Sequence, residues 1–251
     1  MLDKIKDIVG GVKQNPEEIE PFPGIKPKSP KHIAITIDGT ITYSRKGKIS
    51  LQEAYAKAIE VINKIISLQQ KRNIPIISFY LLGKRDINND NYQEFVKAIV
   101  DFFNNLKDHE AISSGKTKVS VIGKWYDLPG NLVDSVRSIL DTTKDNDNFY
   151  ANFCLNYDGQ EEIVDACKLL VRQVMASKID ISQINNDAIK ENLYSSYFVP
   201  PDIIIKNGYK KYTKGLMLWD SSYSTIYFSG KMLPDFRKSD FDSAIEYWRK
   251  N

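Results

Sequence analysis

From residue 33 onward the chain alternates short apolar runs with longer stretches of helical periodicity, and this alternation restricts its possible folds more than any other feature. Apolar runs occupy residues 33–37, 74–82, 119–122, 149–155 and 203–205; helical spacing occupies 50–70, 92–106, 132–142, 161–177 and 239–248. A run with apolar residues on both sides of the pleat is a strand covered on both faces. In an alternating order, such runs mean a parallel sheet flanked by helices. With 251 residues and 42% hydrophobic content, the chain is long enough to bury one such core. The predicted fold is therefore α/β, a single domain over residues 29–251 with a mostly parallel central sheet flanked by helices.

Residues 1–28 read as an N-terminal helix followed by a proline-rich connector. Met1, Leu2, Ile5, Ile8, Val9 and Val12 recur at helical spacing beside Lys4, Lys6 and Lys13. Such a helix rests on a membrane surface or packs on the body or on a partner, and packing is the more ordinary outcome. Pro16, Pro21, Pro23, Pro27 and Pro30 then hold the chain extended. A net charge of +3 is too small to argue for nucleic acid. No run approaches the ~18 apolar residues of a membrane span, and no signal peptide is read. The expected location is the cytoplasm, with peripheral contact at a membrane left open. Cys154 and Cys167 have no metal-ligand spacing and read as small buried hydrophobes in a reducing compartment.

The chemistry centres on HIAITIDGT at residues 32–40, an apolar strand that ends in one acid and one glycine. Ligands of open parallel sheets sit beyond the carboxyl ends of the strands. A carboxylate there can hold Mg²⁺ together with a phosphorylated ligand. Asp38 is thus the candidate metal ligand and catalytic acid. A haloacid-dehalogenase phosphatase would need a nucleophilic acid two residues earlier, where this chain has Thr36.

Five blocks, taken in order, resemble the cis-prenyltransferases of the undecaprenyl diphosphate synthase family. PKHIAITIDG at 30–39 resembles the family's opening strand with its Asp-Gly. VSVIG at 119–123, followed by Leu128-Pro129, resembles V-R-V-I-G and its trailing leucine-proline. LNYDGQEEIVDA at 155–166 is similar to L-N-Y-G-G-R-x-E-I-V-D-A, and PDIIIK at 201–206 to P-D-L-L-I-R. Leu218-Trp219, Tyr223-Ser224, Tyr227-Phe228 and LPDF at 233–236 fall at the family's spacing. Over residues 29–248 the resemblance implies an undecaprenyl diphosphate synthase-like fold, a dimer, and a hydrophobic tunnel for a growing isoprenoid. The helix at 92–106, with Phe95, Ile99, Phe102, Phe103 and Leu106, would form one tunnel wall, although such a stripe alone is more often ordinary core.

The resemblance implies a reaction in which isopentenyl diphosphate elongates an allylic diphosphate with Mg²⁺. Two diphosphates must then be gripped side by side, work that suits bidentate arginine. Here the family's D-G-N-G-R-W is Asp38-Gly39-Thr40-Ile41-Thr42-Tyr43, and residues 49–55 lack the expected arginine and histidine. F-S-T-E-N-W is replaced by LGKRDI at 82–87. The arginines and serine of the diphosphate loop become Lys206, Tyr212 and Lys214, and the partner-subunit glutamate becomes Thr225. The closing arginine-glycine signature has no counterpart, so a partner would have to supply its own. One lost preorganised charge contact costs about 3 kcal/mol at a transition state, and at least four are gone.

The leading expectation is an accessory subunit with a degraded site, paired with a catalytic cis-prenyltransferase subunit to make a polyprenyl diphosphate, the precursor of a glycosyl carrier lipid. An active, divergent prenyltransferase, working as a homodimer, is the second reading. In it Asp38 holds Mg²⁺, and Gly39, Arg45, Lys46, Lys206, Lys210 and Lys214 form the diphosphate site. A module that binds isoprenoid diphosphates without turnover is the third.

Overall fold

The computed structural model describes residues 29–251; the expected N-terminal helix and most of its connector lie outside the described residues. Six strands form one wholly parallel sheet in the order β3-β4-β2-β1-β5-β6. They are β1 (His32–Thr36), β2 (Ile76–Gly83), β3 (Thr117–Ile122), β4 (Phe149–Tyr157), β5 (Ile203–Lys206) and β6 (Thr225–Phe228). The helices are α1 (Thr40–Gly47), α2 (Leu51–Lys71), α3 (Tyr92–Leu106), α4 (Glu110–Ser113), α5 (Gly130–Thr143), α6 (Gly159–Met175), α7 (Asn186–Glu191) and α8 (Lys238–Lys250).

Each central strand buries both faces. Ile33 and Ile35 of β1, Ile77 and Phe79 of β2, and Ile203 and Ile205 of β5 pack under α2, α3, α5 and α8. Ala34, Tyr80, Cys154 and Ile204 pack on the other side with Phe198, Leu216 and Met217. Alternation along the pleat thus feeds two apolar layers from one sheet. The helices start where local chemistry provides for them. Ser50 accepts from the Glu53 amide at 3.2 Å while Glu53 accepts from the Ser50 amide at 2.9 Å, a complete capping box for α2. Asp158 accepts from the amides of Gln160 and Glu161 at the start of α6.

The strand order determines where a ligand can sit. From β1 the chain adds β2, crosses to the edge as β3 and fills the gap between them with β4, then returns to the other side of β1 with β5 and β6. The order reverses between β1 and β5, and a crevice opens at the carboxyl ends of strands that diverge in this way. In the β1–β5 register Thr36 lies opposite Lys206.

The helical stripe at 92–106 divides. Phe102, Phe103 and Leu106 are buried in the main core, with the rings of Phe102 and Phe103 edge-on to Phe153. Tyr92, Phe95 and Ile99 face a cavity. Of the residues expected to form a tunnel wall, Phe95 and Ile99 therefore line a cavity, whereas Phe102, Phe103 and Leu106 are ordinary core. Cys154 is buried as expected, whereas Cys167 is exposed. The correction follows from helix phase: Ala166 and Leu170 are the inward positions of α6, and Cys167 falls on its outer face.

Candidate functional site

Asp38 follows β1 at the reversal point. Its main-chain carbonyl accepts from the Leu233 amide at 2.9 Å. Gly39 then turns into α1 with φ +99°, a conformation that favours glycine, and a Cβ there would meet Met232 Cγ at 2.7 Å. The Asp38 carboxylate is consequently aimed back across the sheet end at β5. There both of its oxygens meet ammonium groups: Lys206 Nζ lies 2.6 Å from Oδ2 and Lys214 Nζ 2.7 Å from Oδ1.

The two lysines are held in different ways. Lys206 is the last residue of β5, and its side chain is 1% exposed. Besides Asp38, its ammonium donates to the Asn207 carbonyl. Asn207 is locked in turn, since its main-chain amide donates to Thr36 Oγ1, its side-chain amide donates to the Thr36 carbonyl, and Ser229 donates to its Oδ1. Gly208, at φ +79°, brings the backbone so close that a Cβ there would sit 3.1 Å from Asp38 Cβ. Lys214 arrives from the following loop with φ 57°, beside Gly215 at φ 76°. A non-glycine residue in this region costs about 1–2 kcal/mol. Burial of its ammonium on Asp38 is the compensation visible here. Lys214 also lies 4.0 Å from Asp86.

Burial pushes the Asp38 carboxyl up, but the Lys214 and Lys206 ammonium groups outweigh it and hold the acid below its ordinary value. Burial pulls Lys214 down, and Asp38 and Asp86 more than reverse this, so its ammonium is held above the usual lysine value. Asp38 is therefore ionised and the Lys214 ammonium charged near neutral pH.

A cavity of about 430 Å³ opens from this centre. Its lining combines the charged residues Asp38, Lys206, Lys210, Lys214 and Asp86 with apolar Ile59, Ile62, Leu81, Phe95 and Ile99 and with polar groups that include Asn89 and Asn91. Its shape and chemistry suit an amphiphile with an anionic head and a hydrocarbon tail. Gly39, Lys206, Lys210 and Lys214 of the expected diphosphate residues all border it. Arg45 and Lys46 do not. Both are exposed in the last turn of α1, where Lys46 lies over the Tyr209 ring at 4.7 Å. Thr225 opens β6, where its amide donates to the Asp202 carbonyl.

Mg²⁺ is bound through one or two carboxylates together with ligand phosphates. On this chain it would have to displace or crowd two ammonium groups on the single acid of the reversal point. Among the described residues, no group of three or more histidines, cysteines, aspartates or glutamates is arranged to hold a metal. With both oxygens of Asp38 engaged by ammonium groups, the residues present do not fit a divalent cation on that acid.

Sequence reasoning missed Asn207 and Gly208 as the pair that clamps this centre. The signal was available, since Asn-Gly immediately after an apolar strand marks a tight turn. It also missed Asp86, whose carboxylate accepts from the Gly83 amide at 3.1 Å and faces the cavity.

Comparisons with known proteins agree with this architecture. The family described as "Putative undecaprenyl diphosphate synthase" matches residues 36–251. A Thermoplasma acidophilum protein named tritrans,polycis-undecaprenyl-diphosphate synthase (geranylgeranyl-diphosphate specific) is 29% identical over 252 residues, covering 99% of this chain and 96% of that protein. An isoprenyl transferase of Oceanobacillus iheyensis is 26% identical, covering 88% of each. The crystal structure of lavandulyl diphosphate synthase from Lavandula x intermedia, in complex with dimethylallyl diphosphate, superposes with a TM-score of 0.83. It is 21% identical and covers 89% of this chain and 97% of that one, a likeness of fold.

Proposed function

Because the chain belongs to the undecaprenyl diphosphate synthase family of cis-prenyltransferases, we propose that it serves polyprenyl diphosphate synthesis as an accessory subunit. It holds an isoprenoid diphosphate in its own cleft and pairs with a partner of the same fold that performs the condensation. One observation carries this reading: both oxygens of Asp38 are engaged by lysines of the same chain, at 2.6 and 2.7 Å. The acid that the family resemblance assigns to Mg²⁺ is thereby spent on an internal ion pair.

An apolar stripe supports the pairing. Val164, Cys167, Val171 and Met175 recur at i, i+3, i+7 and i+11 along the outer face of α6, with Met175 81% exposed. A stripe of this kind on the outside of a helix is what a partner chain covers.

The test is expression alone and with a paralogue from the source genome that keeps its arginines and glutamate. The chain alone should incorporate no labelled isopentenyl diphosphate, and its co-expression should raise the paralogue's yield and turnover. Robust polymerisation by the purified chain by itself would overturn the proposal.

A second reading, an active synthase that works alone, is favoured by the names of the relatives and by the three lysines at the head of the cavity. Geranylgeranyl diphosphate, printed in the name of the Thermoplasma relative, is then the primer to try. Under this reading Asp38→Ala abolishes turnover.

A further inference from the structure

We propose that the Lys206–Lys214 ammonium pair stands in for a divalent cation, so that the cleft binds the diphosphate of an isoprenoid ligand without metal. The inference rests on the reading that the cleft takes an isoprenoid diphosphate. It is independent of whether the chain turns that ligand over.

Charge is the first argument. A divalent ion on one carboxylate leaves a net charge of +1 at the head of a cavity, and the three lysines that line this cavity, Lys206, Lys210 and Lys214, against its two carboxylates, Asp38 and Asp86, leave the same formal net charge. A diphosphate approaching this end meets the electrostatics that a metal would supply, delivered by side chains already in position. Donor count is the second. Each ammonium has three N–H groups. Among the described residues, Lys206 gives two, to Asp38 and to the Asn207 carbonyl, and Lys214 gives one, to Asp38. Donors therefore remain on both groups for phosphate oxygens, and Lys210 borders the same cavity.

Rigidity is the third argument. Lys206 is fixed by the β1–β5 register and by the Asn207 clamp, and the partly exposed Lys214 is brought to it by a left-handed backbone next to Gly215. An ion pair held by so many constraints is a built feature of the cleft. A metal entering at Asp38 would oppose two positive charges within contact distance of the same carboxylate. The same cavity is lined by Ile59, Ile62, Phe95 and Ile99, the apolar surface an isoprenoid tail requires.

The experiment is calorimetric titration of the full chain with geranylgeranyl diphosphate, in EDTA and in excess Mg²⁺, with inorganic pyrophosphate as a competitor. Binding in EDTA, with a Kd that Mg²⁺ changes by less than about threefold, is expected, together with displacement by pyrophosphate. Lys214→Met should weaken binding in EDTA by about tenfold, the size of one charge-assisted hydrogen bond. Lys214 is partly exposed, so this variant leaves the buried Lys206–Asp38 pair in place, and circular dichroism checks that it is folded. Binding only when Mg²⁺ is present would overturn the metal-free assignment and leave the cleft's isoprenoid reading standing. Equal binding by Lys214→Met would overturn the role of the pair. No binding under either condition would overturn both this inference and the isoprenoid reading beneath it.

Discussion

Replacing Asp38 by asparagine separates a metal acid from an ion-pair anchor through stability alone. An acid kept for a cation sits uncompensated in its empty site, and neutralising it leaves stability unchanged or raises it. In this structure the opposite holds. The substitution is nearly isosteric, so packing is preserved, but the Lys206 ammonium, 1% exposed, loses its only close negative charge and keeps neutral acceptors alone, the Asn207 carbonyl and the new amide oxygen. Removing one member of a buried pair costs about 3–5 kcal/mol. The lower end applies here, because the Asp38 side chain is 18% exposed and Lys214, 28% exposed, can turn to water. About 3 kcal/mol lowers the midpoint of a domain this size by roughly 6–12 °C. Urea and thermal unfolding of wild type, Asp38→Asn, Lys206→Met and the double variant complete a cycle. In the Lys206→Met background Asp38→Asn should cost about 1 kcal/mol or less, giving a coupling of about 2 kcal/mol. An Asp38→Asn variant as stable as wild type, or a coupling near zero, would refute the assignment.

Three further predictions concern His32, Gly208 and Gly130. His32 is fully buried between the Val199 carbonyl at 2.6 Å and Ser78 Oγ at 2.8 Å. Burial lowers its pKa from 6.5 to about 4, against the pull of the Val199 carbonyl. The unfolded chain therefore takes up this proton first, and stability should fall by roughly 3 kcal/mol as pH drops from 6.5 to 4. The depressed Asp38 carboxyl acts in a lower window, contributing above 3.8 and losing its contribution as pH falls further. Chemical denaturation at stepped pH checks this, with His32→Gln expected to flatten the slope between 6.5 and 4. Gly208→Val should destabilise by at least about 1–2 kcal/mol, because its φ is +79° and a Cβ would press on Asp38 at 3.1 Å. Gly130→Ala, at the start of α5 with open space around it, should be neutral or slightly stabilising in the same denaturation assay.

The parallel sheet was legible because strands buried on both faces are predominantly apolar, and residues 33–37, 74–82, 149–155 and 203–205 read as apolar runs interrupted only at Thr36, Pro75, Ser78 and Asn152. The elements that escaped lack that signature. β6 is a four-residue edge strand whose residues are half-buried or exposed, so Thr225–Phe228 carries no continuous run. α1 reads TITYSRKG, has only Thr40 buried and starts from Gly39 without a side-chain cap; the β1 turn and the Tyr43 amide on the Gly39 carbonyl hold it. α7 is six largely polar residues capped by Asn185.

The site was legible one residue at a time. Asp38 announced itself by ending a strand. Lys206 and Lys214 stood out as lysines where arginine and serine were expected, and each was read as a ligand for phosphate alone. That they close on the two oxygens of Asp38 depends on pairing residues 168 and 176 positions apart, which no local pattern encodes. The pairing follows from one registration. With Thr36 opposite Lys206, the acid two residues beyond β1 faces the end of β5, and the Asn207-Gly208 turn swings the next loop back so that Lys214 completes the centre. Arginine at 206 would present a planar fork to a diphosphate, whereas a buried ammonium is compact enough to share one carboxylate with a second lysine. The exchange of arginine for lysine therefore alters what Asp38 is available to hold, and it does so through topology.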